Sequence, residues 1–240
     1  MAGKNKNNFF ILKDKIKETA DVTTLKFFPQ KRGASFSFKP GQFVMLGSLP
    51  DFWGIQKAYT ITSLPGEDFI TVTVKRLGNF SNALCDLKKG SKVEVTGPDG
   101  NFVLENSVKD IVFLAGGIGI APFYAMFKYL SKIKDKSRKI NLFYSNKTEG
   151  DIIFLKELER LAENVPNFKV FYTLTREKKN KSSIADEFQR IDVKILKKHL
   201  GNLKGRTYFI CGPTGFVMEI GEQIRKAGVK DDQIKIEFFF

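Results

Sequence analysis

The sequence predicts two domains: an N-terminal antiparallel six-stranded β-barrel over residues 1–107, then an α/β domain with a five-stranded parallel sheet over residues 108–240. Two observations carry this. The first hundred residues are short β-branched or aromatic runs broken by Gly, Pro, Asp or Ser, the pattern of strands joined by turns. From residue 108 the apolar runs are continuous and alternate with stretches of helical period, the pattern of a parallel sheet covered on both faces.

The barrel strands are expected at "NNFFILKDKIK" (7–17), "VTTLKFFP" (22–29), "GQFVMLGS" (41–48), "KAYTITS" (57–63), "FITVTVKR" (69–76) and "SKVEVTGP" (91–98). Six strands at this spacing suggest closure into a barrel. Within them "SNALCDLKKG" (81–90) reads as one helical turn with Ser81 as its N-cap. In "KAYTITS" alternation sends Lys57, Tyr59 and Ile61 one way and Ala58 and Thr60 the other.

The second domain offers strands "DIVFLAGG" (110–117), "KINLFYSN" (139–146), "FKVFYTLT" (168–175), "TYFICGP" (207–213) and "QIKIEFFF" (233–240). Between them lie helical patterns at 121–133, 150–164 and 215–228, with a weaker pair in 184–200.

Composition narrows the function. Hydrophobic residues make up 42% and charged residues 28%, with 24 Phe, as in a globular protein. No apolar run approaches the roughly 18–20 residues of a membrane span. The apolar stretch in "MAGKNKNNFFILKDK" is too short for a secretory signal, so a cytoplasmic location is expected. Cys85 and Cys211 are the only cysteines. They form neither a metal pair nor the set of four an iron–sulfur cluster needs, so no metal site is expected and any cluster belongs to a partner. His199, the single histidine, falls at the end of a short helix, which removes histidine-based triads. The net charge of +14 suits either solvated lysine-rich faces or an acidic partner.

Two glycine turns stand out. "FLAGGIGIAP" (113–122) runs from a strand through Gly116, Gly117 and Gly119 to a helix starting near Ala121–Pro122. Proline is tolerated in the first helical turn, whose amides have no partner within the helix. Those amides and the helix dipole attract anions, although such turns also need glycine for steric reasons alone. "CGPTGFVME" (211–219) repeats the device after another strand, with Cys211 on the lip. Ligands of open α/β sheets bind at the carboxyl ends of strands, so the two turns together point to a dinucleotide. In the barrel, Tyr59 and Thr60 offer a flat ring and a hydroxyl, and "KRLGNFSNAL" (75–84) adds a second anion seat.

The ordered set "KAYTITS", "GNFS", "GPDGNF" (97–102), "AGGIGIAP", "CGPTGF" and the terminal "EFFF" resembles the ferredoxin–NADP⁺ reductase superfamily over nearly the whole chain. The resemblance implies a flavin-binding barrel, a pyridine-nucleotide domain and hydride transfer between nicotinamide and flavin N5. It implies that Tyr59 and Thr60 contact the isoalloxazine and ribityl, with the Thr60 hydroxyl near N5. Ile61, Thr62, Val74 and Lys75 complete the flavin set. Gly78, Asn79, Phe80 and Ser81 would present amides and a hydroxyl to the pyrophosphate. Lys57 stands where the family usually has arginine, and keeps the charge without the bidentate fork. "GPDGNF" near the adenosine favours FAD over FMN.

By the same resemblance Gly117, Gly119 and Pro122 would hold the pyrophosphate of the nicotinamide coenzyme, with Gly212 and Pro213 across from them. Cys211 would lie near the nicotinamide, Glu237 would match an acid near the reacting centre, and Phe239 would cover the flavin face. Thr60, Cys211 and Glu237 are thus the catalytic candidates. At the end of the second strand of this domain stand Ser145, Asn146 and Lys147, not the acid common where NAD is selected. "TLTREKKNK" (173–181) resembles the 2′-phosphate segment of NADP-specific members, through Thr175, Arg176 and lysines including Lys179. NADPH is therefore expected over NADH.

The expected partner is an acidic electron carrier, a ferredoxin or flavodoxin, or a subunit carrying an iron–sulfur cluster. The rivals are a reductase subunit of a multicomponent oxygenase, hydrogenase or dehydrogenase, a free-flavin reductase, and a non-enzymatic nucleic-acid binder. The last leaves the glycine turns unexplained, and no nucleic acid or membrane span is expected.

Overall fold

The computed structural model describes residues 8–31, 36–105 and 107–239. Asn7 of the first expected strand and Phe240 of the last lie outside the described residues. The chain divides into two compact units, Met1–Val103 and Leu104–Phe240.

The first unit contains β1 (Asn8–Lys17), β2 (Val22–Pro29), β3 (Phe43–Gly47), β4 (Lys57–Thr60), β5 (Ile70–Lys75) and β6 (Lys92–Asp99). They form one sheet in the order β4-β3-β6-β1-β2-β5, with every pairing antiparallel. Beyond β4 the two ends of the sheet meet at an Ile61–Val72 bridge, where the Thr62 N–H donates to the Thr71 carbonyl at 2.8 Å. That seam closes the barrel. Inward positions on β5 (Ile70, Val72, Val74) and β6 (Val93, Val95) join Phe10, Leu12, Leu25, Phe27, Val44 and Leu46 in one core. Burying such side chains stabilises the fold by about 1.5–3 kcal/mol each.

One helix, α1 (Asn79–Asp86), lies between β5 and β6, and its Phe80, Leu84 and Cys85 are buried in the core. Its start differs from the sequence reading. Gly78 is the N-cap and Ser81 sits at the third helical position. The Ser81 Oγ reaches back and accepts from the N–H groups of Leu77 (2.9 Å) and Gly78 (3.0 Å). A serine there caps from inside the helix, as the second half of a capping box does.

The second unit holds β7 (Asp110–Gly116), β8 (Lys139–Asn146), β9 (Phe168–Leu174), β10 (Thr207–Pro213) and β11 (Ile234–Phe239). They form a wholly parallel sheet in the order β11-β10-β7-β8-β9. The helices are α2 (Ala121–Lys132), α3 (Leu155–Asn164), α4 (Val193–Leu200) and α5 (Thr214–Lys226).

Two helical expectations change. Only Leu155–Asn164 of the 150–164 pattern is α-helix, because Phe154 takes a left-handed φ of 62° and stacks its ring on Tyr124 at 3.9 Å. The pair expected in 184–200 is one helix, α4, capped when the Asp192 Oδ1 accepts from the Ile195 N–H at 2.8 Å. The preceding residues run beside β9 instead: Leu174 N–H donates to the Glu187 carbonyl. His199, in the last turn of α4, packs against Phe143 and Phe171 and meets the Glu187 carboxylate at 3.2 Å.

Phe113 is the hub of one side of this sheet. It is fully buried, with its ring edge-on to Phe123 and Phe127 at 4.9 Å each and stacked on Phe209 at 5.4 Å. Phe113→Ala should lower unfolding free energy by about 3–5 kcal/mol, the cost of an aromatic-sized core deletion. A shift of the guanidinium midpoint, with slope unchanged, would measure it.

Candidate functional site

The sheet order of the second unit places its site. From β7 the chain adds β8 and β9 on one side, then returns to put β10 on the other. The reversal falls between β7 and β10, and open α/β sheets bind ligands at the carboxyl ends of strands at such a point. Parallel register from Thr207–Ile111 to Cys211–Ala115 brings both glycine turns to that edge. They touch: a Cβ on Gly212 would lie 3.1 Å from the Gly116 Cα.

Within "AGGIGIAP" the glycines do different things. A Cβ on Gly119 would stand 2.2 Å from the Cys211 carbonyl oxygen, so the turn seats on β10 only because residue 119 has no side chain. Gly117 is at φ +52°, and nothing lies within 4 Å of the place a Cβ would take. That opening is where a ligand can reach the backbone. Gly117–Ile120 form a 3-10 turn that runs into α2, with Pro122 in the helix's first turn. Gly215 at the start of α5 is also open around its Cα, and Pro213 is exposed.

Cys211 is not on a lip. Its side chain is fully buried within β10, where burial and then the charge of Glu237 push the thiol well above its ordinary range. Glu237 is the register partner of Cys211 on β11; burial raises its carboxyl too. Phe239, half-buried, pairs in register with Pro213.

The ends of β8 and β9 are laced together. Thr175 donates to the Asn146 carbonyl through its N–H (3.0 Å) and its Oγ1 (3.3 Å), and the Arg176 N–H donates to the Lys147 carbonyl at 2.8 Å. Lys147 and Arg176 thereby come side by side, both exposed, with Lys179 in a 3-10 turn nearby. None of the three forms an ion pair among the described residues. Glu177, the one acid of residues 173–181, accepts from the Glu149 N–H at 3.3 Å.

In the barrel unit, "KAYTITS" descends from surface to core. Lys57 and Ala58 are exposed, Tyr59 is half-buried, and Thr60, Ile61, Thr62 and Ser63 are buried, so depth changes along the strand on both of its faces. Tyr59 lies parallel to Phe80 of α1 at 6.5 Å, which joins the strand to the GNFS turn. The Thr62 hydroxyl meets those of Thr71 (2.9 Å) and Thr73 (3.4 Å). Val74 is wholly inside the core and the Lys75 ammonium is held by Asp21 at 2.7 Å, leaving chiefly backbone for a ligand.

α1 is gripped at its far end. Lys15 Nζ donates to the carbonyls of Cys85 (2.5 Å) and Leu87 (3.1 Å), and Arg76 makes a two-pronged contact with Asp86 at 2.5 and 3.3 Å. A cation at a helix C-terminus complements the dipole whose positive end is at Gly78. Nothing lies within 4 Å of the Cβ position of Gly78, and Asn79 is exposed. Ser63 Oγ, fully buried, has no hydrogen-bond partner among the described residues. A half-buried ring, an unsatisfied hydroxyl, an open glycine at a helix start and the exposed Lys57 ammonium suit a flavin carrying a diphosphate. Ser63 was not singled out by the sequence, although it ends the quoted strand.

Two domain families match this chain: an oxidoreductase FAD-binding domain over residues 10–104 and an oxidoreductase NAD-binding domain over residues 113–221. The chain belongs to the ferredoxin–NADP⁺ reductase superfamily. It is 32% identical to the ferredoxin reductase component of 3-ketosteroid-9-alpha-monooxygenase of Mycolicibacterium smegmatis, over 93% of this chain and 63% of that protein. It is 31% identical to the glycine betaine monooxygenase reductase subunit of Chromohalobacter salexigens, over 89% and 59% respectively. The chain thus spans about 60% of the length of these relatives. The cytochrome b5 reductase domain of Ulva prolifera nitrate reductase superposes with a TM-score of 0.82 and 28% identity, covering 98% of this chain and 97% of that one. A ferredoxin NADP⁺ reductase from Neisseria gonorrhoeae, solved with FAD and NADP bound, shares the fold at TM-score 0.80 and 22% identity, each chain 98% covered.

Gly119→Ala tests how this glycine turn is seated on β10. The added methyl meets backbone, so the turn must shift. Affinity for NADP⁺ should fall more than about ten-fold while FAD stays bound, which corresponds to about 1.4 kcal/mol or more of lost contact. Equilibrium dialysis with each ligand would read both.

Proposed function

We propose that this chain is an FAD-holding reductase that oxidises NADPH and delivers electrons to an acidic carrier protein. The observation that carries the coenzyme half is the pair of unneutralised cations, Lys147 and Arg176, laced together at the carboxyl ends of β8 and β9. A guanidinium beside an ammonium suits a dianionic 2′-phosphate. Thr175 fixes the turn and Lys179 adds charge, while Gly117, Gly119, Pro122, Gly212 and Pro213 receive the coenzyme's pyrophosphate and nicotinamide end.

In the barrel, Tyr59 and Thr60 with Ile61 and Thr62 hold the flavin ring and ribityl chain. Gly78, Asn79, Phe80 and Ser81 receive its pyrophosphate with Lys57, and the backbone of Val74 and Lys75 completes the wall. Bound FAD supplies the conversion of two-electron hydride chemistry into single-electron release. The protein's part is to bind, orient and exclude water. The buried Cys211 thiol contributes shape beside the nicotinamide, and on the neighbouring strand β11 stand Glu237, whose carboxyl burial raises, and Phe239.

The acidic carrier follows from the net charge of +14 on a chain whose two cysteines cannot hold an iron–sulfur cluster. A second reading, a reductase subunit serving an oxygenase, is supported by the two relatives named as reductase components of monooxygenases. A cytoplasmic location goes with either, since both cysteines are free and buried. Among the described residues no helix is long and apolar enough to cross a membrane.

Stopped-flow reduction of the FAD-loaded protein should be faster with NADPH than with NADH at equal concentration. Arg176→Ala should lower kcat/KM for NADPH about 10- to 100-fold, the loss of a charge-assisted contact, and leave NADH nearly unchanged. Equal losses would remove the phosphate assignment. Reduction of an acidic ferredoxin should slow steeply between low and high salt, because screening removes long-range steering. A rate independent of salt would sink the acidic-carrier reading.

A further inference from the structure

Tyr144 is the fully buried side chain beneath the glycine turn. Its hydroxyl donates to the Gly117 carbonyl at 3.1 Å and accepts from the Ile153 N–H at 3.3 Å. A phenol has one proton to give, and with Ile153 on the acceptor side that proton is committed to Gly117. In a trans peptide the carbonyl and the following N–H point in opposite directions. Drawing the Gly117 carbonyl toward the buried Tyr144 hydroxyl therefore turns the Ile118 N–H away from it. Ile118 lies in the first turn of the 3-10 segment Gly117–Ile120, where the helix itself supplies no acceptor.

We propose that Tyr144 is a positioning residue for the dinucleotide: by pinning the Gly117 carbonyl it aims the Ile118 amide at the ligand's pyrophosphate. The same hydroxyl couples two loops, since Ile153 belongs to the β8–α3 connection. Next to it Phe154, left-handed at φ 62°, stacks on Tyr124 in the first turn of α2. The turn's peptide orientation is thus fixed from β8 and from the following loop as well as by Gly119 on β10. This inference rests on the reading of the second unit as the nicotinamide-coenzyme domain.

Tyr144→Phe removes the pin and keeps the ring. It should raise the dissociation constants of NADPH and NADH by the same factor, about five-fold for one lost hydrogen bond, because both carry the pyrophosphate. Turnover at saturating coenzyme and FAD content should stay within two-fold of wild type. Binding of 2′-AMP, which has the 2′-phosphate and no pyrophosphate, should not change. Unaltered coenzyme affinity in Tyr144→Phe, or an equal loss for 2′-AMP, overturns the proposal while leaving the proposed function standing. Wild-type protein that binds neither coenzyme overturns both. Should Tyr144→Phe fail to fold, amide exchange in the wild-type protein decides: NADP⁺ must slow the Ile118 amide, and unchanged exchange at that amide refutes its assigned role.

Discussion

The architecture of the second unit turns on one close approach. The backbone at Gly119 lies so near the Cys211 carbonyl that any Cβ would sit 2.2 Å from it. This contact lets the β7–α2 turn rest on the neighbouring strand rather than beside it. Because β7 and β10 are neighbours across the reversal of strand order, the two glycine turns share one edge. The open face of Gly117 and the start of α5 inherit their positions from it. A side chain at 119 would cost the edge its shape before it cost the sheet its hydrogen bonds.

The barrel unit solves a related problem with charge instead of close packing. Its short helix must present its N-terminal end to solvent, yet eight residues are marginal as a helix on their own. Core burial of Phe80, Leu84 and Cys85 holds one face, while Lys15 and Arg76 anchor the far end. Serine at the third position then satisfies the amides of Leu77 and Gly78 from within. The Asn79 end is left exposed, which is what an anion seat requires.

The sequence was most legible where a repeating physical pattern speaks over many residues. All eleven strands emerge from alternation in the barrel and continuous apolar runs in the parallel sheet. Strand edges blur by a residue or two, and by three at the end of β4. Legibility fails where one backbone conformation decides. Nothing in "GDIIFLKEL" announces that Phe154 turns left-handed, so the helical period is read five residues too early. Ser81 looks like an N-cap because serine is a good one, but Gly78 takes the extended conformation and Ser81 serves from inside. Cys211 looks exposed because it borders Gly-Pro, whereas strand pairing on both sides encloses it. Tyr144 is hidden for the opposite reason: within an apolar strand its ring reads as core, and the use of its hydroxyl depends on a turn nearly thirty residues away.

The lysine excess sits apart from these constraints. Many of its cations are neutralised locally, as Lys75 is by Asp21, Lys89 by Asp14 and Lys198 by Glu187. Exposed pairs of this kind add little to stability, so their value lies in what they leave over. Lys57 and Lys147 with Arg176 are exposed at the ends of strands that border the two proposed cofactor seats, and no acid pairs with them among the described residues. A chain this basic would hold anions loosely everywhere. An unpaired cation and a backbone turn opened by glycine do different things: the first suits a terminal phosphate, the second the closer approach of a diphosphate. Charge draws the ligand in, and the direction of a few peptide groups decides where it stops.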